Sequence, residues 1–421
     1  MELFLNFLLF ITTIPLCYLV SGSQAATNSS DHLALLSFKS LITADPSGVL
    51  KSWRNTSTAG HCQWHGVTCG ARGQRRGRVT ALQLPGLNIS GIISPKIANL
   101  TFLMRLDLSK NQLHGTAPHE LSLLLNLNHL DLSFNNLNGK IPPSLSRCSN
   151  LRNISLGFNS LQGEIPEEFG SLVDLQSLSL LHNNLTGTIP ANSFQNLQKL
   201  ELLSLAGNKL SGEIPHSLGN LTSLTYLLLN NNSFTGMIPP SLSKLSSLTK
   251  LGLVGNNLTG VIPPALGNLS NLLWLDIGYN YLTENLLTGN IPSNLANCPL
   301  NWLDLQGNKL TGLVPKEILQ MPSLSVFLEL QDNMLSGPLP TEVGSLRNLQ
   351  RLDISNNRIS VSNLRGLQMI DLSYNNLSGH IPEFLGSLRG TYLNLSFNDF
   401  YGAIPRQARL ITGAFLQNVK P

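Results

Sequence analysis

A period of 24 residues, running from Val79 to Pro405, constrains this chain more than any other feature. Its pattern is LxxLxLxxNxLxGxIP. Leu106, Leu108, Asn111, Leu113, Gly115 and Pro118 recur as Leu130, Leu132, Asn135, Leu137, Gly139 and Pro142. The Asn returns at Asn159, Asn183, Asn208, Asn232, Asn256, Asn280, Asn308, Asn333, Asn357, Asn375 and Asn398. With a first unit in which Leu87 replaces the Asn, about 14 repeats follow one another. A unit this short cannot bury its own apolar side, so neighbours must stack.

Each repeat position has a physical job. In LxL the two leucines share one strand face, and the residue between them takes the other. The Asn sits where the chain leaves the strand, and its buried amide is expected to bond the backbone of neighbouring turns as a ladder. The Gly permits a backbone conformation that a Cβ disfavours. Ile-Pro adds an inward apolar group and a fixed φ. Two units break the rhythm: five extra residues (ENLLT, 284–288) stand between Asn280 and Gly289, and the spacing falls to 18 between Asn357 and Asn375. Such breaks are either loops with a role or loosened packing.

Composition excludes some classes. Of the 421 residues 42% are hydrophobic and 12% charged, so a large core is available. A net charge of +4 is too mild for a nucleic-acid or membrane-surface binder. Residues 3–20 are almost wholly apolar, and Ser23 and Ala25 follow two apart, so residues 1–25 read as a cleaved signal peptide. With Glu2 and no Lys or Arg ahead of the apolar run, an uncleaved anchor is the alternative. No later stretch reaches that length. Sequons agree with secretion, and Asn55, Asn88, Asn99, Asn184, Asn220, Asn257, Asn268 and Asn376 are the candidate N-glycosylation sites. A repeat rich in Asn, Ser and Thr also generates sequons by itself.

The GxIP repeats resemble the plant-specific class of leucine-rich repeats. The segment DHLALLSFKSLITADPSGVLKSW (31–53), followed by CQWHGVTC (62–69), resembles the N-terminal cap of plant leucine-rich-repeat receptor kinases. The most similar subfamily is the immune receptors. The resemblance implies an α/β leucine-rich-repeat solenoid, a curved right-handed superhelix with its parallel sheet on the concave face. It also implies a cap over 26–78, repeats over 79–405 and a truncated tail over 406–421. Residues 406–421 contain no C-terminal cap, Cys pair, membrane span or kinase, so the chain is expected to be a truncated receptor, a receptor fragment or a secreted receptor-like protein. Membrane association would need a longer form with a transmembrane segment.

The cap also reads bottom-up. Ser30 or Asp31 is expected to N-cap a helix through Leu35, Leu36, Phe38, Leu41 and Ile42. Asp45-Pro46-Ser47-Gly48 is a turn signal. Cys17 leaves with the signal peptide. In an oxidising compartment Cys62 and Cys69 are expected to pair as a short disulfide. A zinc site would need more ligands than His61 and His65 add. Cys148 and Cys298 fall at inward positions and read as buried free thiols.

Catalytic motifs are missing from the sequence: HExxH, GxSxG, GxxxxGK[ST], CxxC and the kinase catalytic loop with DFG. No catalysis, cofactor or metal is therefore expected. In xxLxLxx the variable side chains project from the sheet in columns about 4.8 Å apart per repeat. One column is Tyr226, Lys250, Trp274, Trp302, Phe327, Arg351, Met369 and Tyr392; the x of LxL gives Asp276, Asp304, Glu329, Asp353 and Asp371. Tyr279 and Tyr374 lie one further along. Exposed aromatics flanked by charge mark recognition surfaces. Trp274, Trp302 and Phe327 are expected to contact an extended peptide, with the acids favouring its basic side chains. Alternatively, the acids only satisfy neighbouring backbone or carry solvated charge. The basic run Arg72, Arg75, Arg76 and Arg78 is either a solvated loop or a contact for an acidic partner such as pectin.

The family resemblance implies an extracellular receptor domain. It would bind a peptide or microbial elicitor on the concave face and present it to a leucine-rich-repeat co-receptor kinase, in defence or development. Its place would be the outer face of the plasma membrane, or the apoplast. The alternative from another class is a secreted inhibitor of pathogen wall-degrading enzymes such as polygalacturonase.

Overall fold

The computed structural model describes residues 30–54, 60–278, 286–346, 348–360, 369–371, 373–375, 378–380, 392–401 and 414–415. The first repeat strand is Val79–Gln83, and later LxL segments give three-residue strands such as Arg105–Asp107, His129–Asp131 and Asn153–Ser155. Successive strands pair in parallel, Leu106 opposite Leu130 and Leu130 opposite Ile154. Among the described residues they build one 16-stranded sheet. These inward side chains are fully buried, and each such burial contributes about 1.5–3 kcal/mol. The xLxGx segments, such as Asn136–Lys140 and Ser160–Glu164, pair in the same way into further sheets of six, seven and two strands. Short 3-10 turns such as Pro143–Arg147 begin just after the repeat proline and carry the chain back. The result is a solenoid with its leucines inside and one long sheet along one side.

The amide ladder forms as the pattern demands. Asn135 Nδ2 donates to Leu108 O at 3.0 Å and Leu132 O at 3.1 Å, while its Oδ1 accepts from Leu113 N at 2.9 Å. One side chain thereby ties its own coil to the preceding one. Leaving such a buried group without its partner costs about 1–3 kcal/mol. The ladder survives the short unit: Asn375 Nδ2 reaches Ile354 O at 3.0 Å and its Oδ1 accepts from Ile359 N at 3.2 Å.

The long unit is placed differently from the sequence expectation. Leu286–Asn290 is an ordinary strand, with Thr288 opposite Val261 and Leu287 fully buried. The additional residues therefore precede Leu286, in 279–285, outside the described residues.

The cap corrects a second expectation. Residues 30–40 are helical and bury Ala34, Leu35 and Phe38. Asp31 is not an N-cap. It is fully buried and takes two bonds from Arg78, Nε to Oδ2 at 3.0 Å and Nη2 to Oδ1 at 2.8 Å, plus one from Val79 N at 2.8 Å. The side chain is worth more there than at a solvated helix end, because it satisfies the entry to the first repeat strand, Val79–Gln83. Ile42 belongs to a strand, Ile42–Ala44, which pairs antiparallel with Ser90–Ile92. Val67–Cys69 pairs antiparallel with Val79–Gln83, and these two pairings cover the sheet edges that a first repeat leaves open. Asp45 makes the expected turn, accepting from Val49 N at 3.1 Å and Leu50 N at 2.9 Å. Cys62 and Cys69 form the disulfide. Cys148 and Cys298 are buried and free, and burial pushes both thiols up to about 11.

No helix among the described residues is long and apolar enough to cross a membrane. Residues 1–25, Asn55 and Asn376 lie outside the described residues. Asn88, Asn99, Asn184, Asn220 and Asn268 are exposed, and Asn257 is half-buried.

Candidate functional site

Because every strand is in register with the next, equivalent residues of successive repeats become neighbours on the open face of the long sheet. Lys250 stands opposite Trp274, Trp274 opposite Trp302, Trp302 opposite Phe327 and Phe327 opposite Arg351. From Lys250 to Phe327 the side chains form one continuous stack. Lys250 Nζ lies 3.4 Å from the centre of the Trp274 ring. The Trp274 and Trp302 rings are parallel, 4.1 Å apart at 12°. Phe327 meets Trp302 edge-on, 4.4 Å away at 77°. Aromatic pairs of this kind add about 0.5–1.5 kcal/mol beyond their burial. The three rings are half-buried against one another rather than freely exposed. Tyr226 begins the row and is exposed. Tyr279 lies outside the described residues, as do the side chains of Met369 and Tyr392.

The acids behave otherwise. Asp304, Glu329 and Asp353 are each 6% exposed, and Asp276 is half-buried. Asp353 accepts from Ser355 N at 3.0 Å and Ser355 Oγ at 2.7 Å. Asp107 with Ser109, Asp131 with Ser133 and Asp371 with Ser373 repeat that geometry. Asp304 takes Gln306 N at 3.0 Å and Gln306 Nε2 at 2.8 Å. Arg351 bridges Glu329 and Asp353 at 3.2 Å each. Asp304 and Asp353 accept from the backbone two residues ahead, as the backbone-satisfying alternative expects, whereas Glu329 is bonded by the side chains of Gln331 and Arg351.

Burial raises these carboxyls. Asp276 is pushed up to about 7, first by burial and then by the charge of Asp304. Asp304 rises to about 6, with burial opposed by the Gln306 hydrogen bonds. Asp353 is also raised by burial.

Two participants escape the sequence reading. Gln331 Nε2 donates to Gln306 Oε1 at 2.6 Å and to Glu329 Oε2 at 2.7 Å, joining two coils beside the stack. The available signal is that Gln306 and Gln331 stand where other coils carry Ser. A second aromatic row, Phe134, Phe158 and His182, stacks at 4.2 and 4.6 Å just ahead of the ladder Asn.

At the other end of the molecule the basic run divides. Arg72, Arg75 and Arg76 are exposed, whereas Arg78 is only 7% exposed and belongs to the cap. His61, Cys62 and Cys69 bring donor atoms within 4.8 Å of one another, but both sulfurs are committed to the disulfide. That leaves His61 alone, too few ligands for zinc.

Comparison with known proteins agrees with the cap and with the repeats. The Leucine rich repeat N-terminal domain family matches residues 28–70, the Leucine-rich repeat region family 132–298, and the Leucine Rich Repeat family 299–321, 348–368 and 366–388. The chain belongs to the leucine-rich-repeat family. Its relatives include plant receptor kinases. This leucine-rich-repeat chain is 49% identical over 84 residues to Receptor kinase-like protein Xa21 of Oryza sativa subsp. japonica, covering 20% of this chain and 8% of Xa21. It is 39% identical over 113 residues to the LRR receptor-like serine/threonine-protein kinase EFR of Arabidopsis thaliana, covering 27% of this chain and 10% of EFR.

Among solved structures it is similar to the ectodomain of GASSHO1/SCHENGEN3 from Arabidopsis thaliana, in complex with CASPARIAN STRIP INTEGRITY FACTOR 2. The TM-score is 0.70 at 33% identity, covering 91% of this chain and 52% of that one. It is also similar to the plant peptide hormone receptor RGFR1 in complex with RGF2, with a TM-score of 0.63 at 32% identity, covering 78% of this chain and 61% of that one. The match thus spans about a tenth of the curated relatives' length and about half to two thirds of these solved ectodomains.

Proposed function

We propose that the chain is the ligand-recognition part of a plant receptor, and that it binds an extended peptide along the open face of its long sheet. The observation that carries this is the unbroken stack from Lys250 through Trp274 and Trp302 to Phe327, with Arg351 on the next strand. Large rings pre-packed against one another lose little side-chain freedom on binding, which is what a recognition hot spot needs. The complexes named for GASSHO1/SCHENGEN3 and RGFR1 support the same ligand class.

The same reading makes residues 1–25 a leader, 26–78 the cap and 79–405 the repeats. It places the protein on the secretory route, glycosylated at the exposed sequons, with its bound ligand offered to a co-receptor kinase. The rings supply contact and the flanking cations favour carbonyls and acids. The buried acids contribute indirectly, by fixing the strand-exit turns. The test is affinity for a peptide selected on the secreted chain. Trp302→Ala should weaken binding at least tenfold with the thermal midpoint little changed, and equal affinity for both proteins would remove the stack from the site.

A further inference from the structure

A cavity of about 450 Å³ opens at the cap end of the same sheet, across the strands that begin at Arg105, His129, Asn153 and Ser177. Arg75 enters it from the cap loop, with its Nη1 3.3 Å from Met104 Sδ. Arg152, just ahead of the strand Asn153–Ser155, also lines it. Asn128 and Met104 line it as well. The wall asparagines are held by the preceding coil, Asn126 Nδ2 donating to Thr101 O at 2.9 Å and Asn150 Nδ2 to Leu125 O at 2.8 Å. Asp174 is the lining acid, and it is paired with Lys199. Neither Arg75 nor Arg152 takes part in an ion pair among the described residues. Arg152 still feels the charge of Asp174, but that carboxylate is bonded to Lys199. The cavity thus presents two guanidinium groups against one already paired acid, beside fixed amides and an adaptable apolar floor.

We propose that this cavity is a subsite for an acidic peptide segment, with Arg75 and Arg152 gripping two of its carboxylates. Guanidinium forks match carboxylate geometry bidentately, and a methionine floor adapts to the aliphatic stems of Glu side chains. The lining contains no aromatic ring, which argues for a peptide over a polyuronate, since sugar rings are usually held by stacking. The subsite stands without the aromatic stack, whereas a joint span rests on the recognition proposed above. From the strand at Asn153 to the strand at Trp302 there are six strand spacings, or about 29 Å, which an extended peptide crosses in about nine residues. A ligand that uses both places carries acids at one end and apolar groups about nine residues away.

The experiment measures binding of fluorescein-labelled hexaglutamate to the full secreted chain by anisotropy. Arg75→Glu with Arg152→Glu should weaken binding at least tenfold, since both residues are exposed and their reversal leaves the core intact. Trp302→Ala should leave hexaglutamate binding unchanged, so the subsite and the stack fail separately. Arg72→Glu with Arg76→Glu alters the same loop outside the cavity and should change binding less than threefold. Absence of hexaglutamate binding would overturn the proposal. So would an equal loss in the Arg72/Arg76 variant, which would mean diffuse attraction, or competition by hexagalacturonate at equal concentration, which would mean a polyuronate site.

Discussion

At the residue scale, the repeat is held together by side chains whose partners lie one coil away. Gly260 illustrates this. Its φ of +79° favours glycine, and a Cβ there would come within 2.8 Å of Met237 Cγ from the preceding coil. The repeat glycine is thus required twice, by its own backbone and by the neighbour lying over it. The sequence makes the glycine legible through its first role and leaves the second hidden.

The acids show the same limit. Asp276, Asp304 and Asp353 read as a displayed charged column because the x of LxL must face away from the leucines. They do face away, yet Gln306 bonds Asp304 and Ser355 bonds Asp353, each from two residues on, and Asp276 is half-buried. The consequence is measurable. Folded Asp276 titrates near 7 and Asp304 near 6, against about 3.9 for an unfolded Asp. Between those limits the folded chain holds more protons than the unfolded one, so stability falls as pH rises. The slope is on the order of 1.4 kcal/mol per pH unit per group. Denaturation midpoints measured at pH 5 and pH 7.5 should be higher at pH 5, and Asp276→Asn with Asp304→Asn should flatten the difference. A wild-type midpoint unchanged across that range would contradict the burial argument.

At the scale of elements, the repeat strands, the ladder and the disulfide all follow from local patterns: period, turn chemistry and Cys spacing. The role of Asp31 does not, because Arg78 lies 47 positions away and nothing local distinguishes a buried ion-pair partner from a helix cap. The pair is the latch between the helix at 30–40 and the first repeat strand. Removing one member of such a pair strands the other charge, at about 3–5 kcal/mol. Asp31→Ala should therefore lower unfolding stability by that order. Asp31→Leu combined with Arg78→Met should lose clearly less, because neither charge is then left buried alone. Calorimetry of the three proteins checks the ordering, and a double variant as unstable as Asp31→Ala would refute the latch. The insertion is a boundary error of the same origin: LLT in ENLLT looks surplus when counted from Asn280, but Leu287 occupies the buried position that Leu258 fills one coil earlier.

At the scale of the whole molecule, each coil touches only its neighbours, so character can drift along the open face without disturbing the core. Along the ring column that face runs from Arg105, His129 and Asn153 near the cap through Ser177, Leu202, Tyr226 and Lys250. It then changes to the rings at Trp274, Trp302 and Phe327. The architecture was legible in the sequence because one leucine in every coil must meet one in the next. The recognition face was legible only as columns, since which side chains in a column shield one another depends on rotamers that no spacing encodes.

The most direct measurement of the central claim is hydroxyl-radical footprinting of the secreted chain with a 12-residue peptide selected on it. Protection should fall on Trp302 and Phe327, with the exposed Met237, at the end of a strand in the seven-stranded sheet, and Leu313, just past another, still oxidised at the free rate. Protection of Met237 and Leu313, with Trp302 and Phe327 unprotected, would place recognition on another surface and contradict the account.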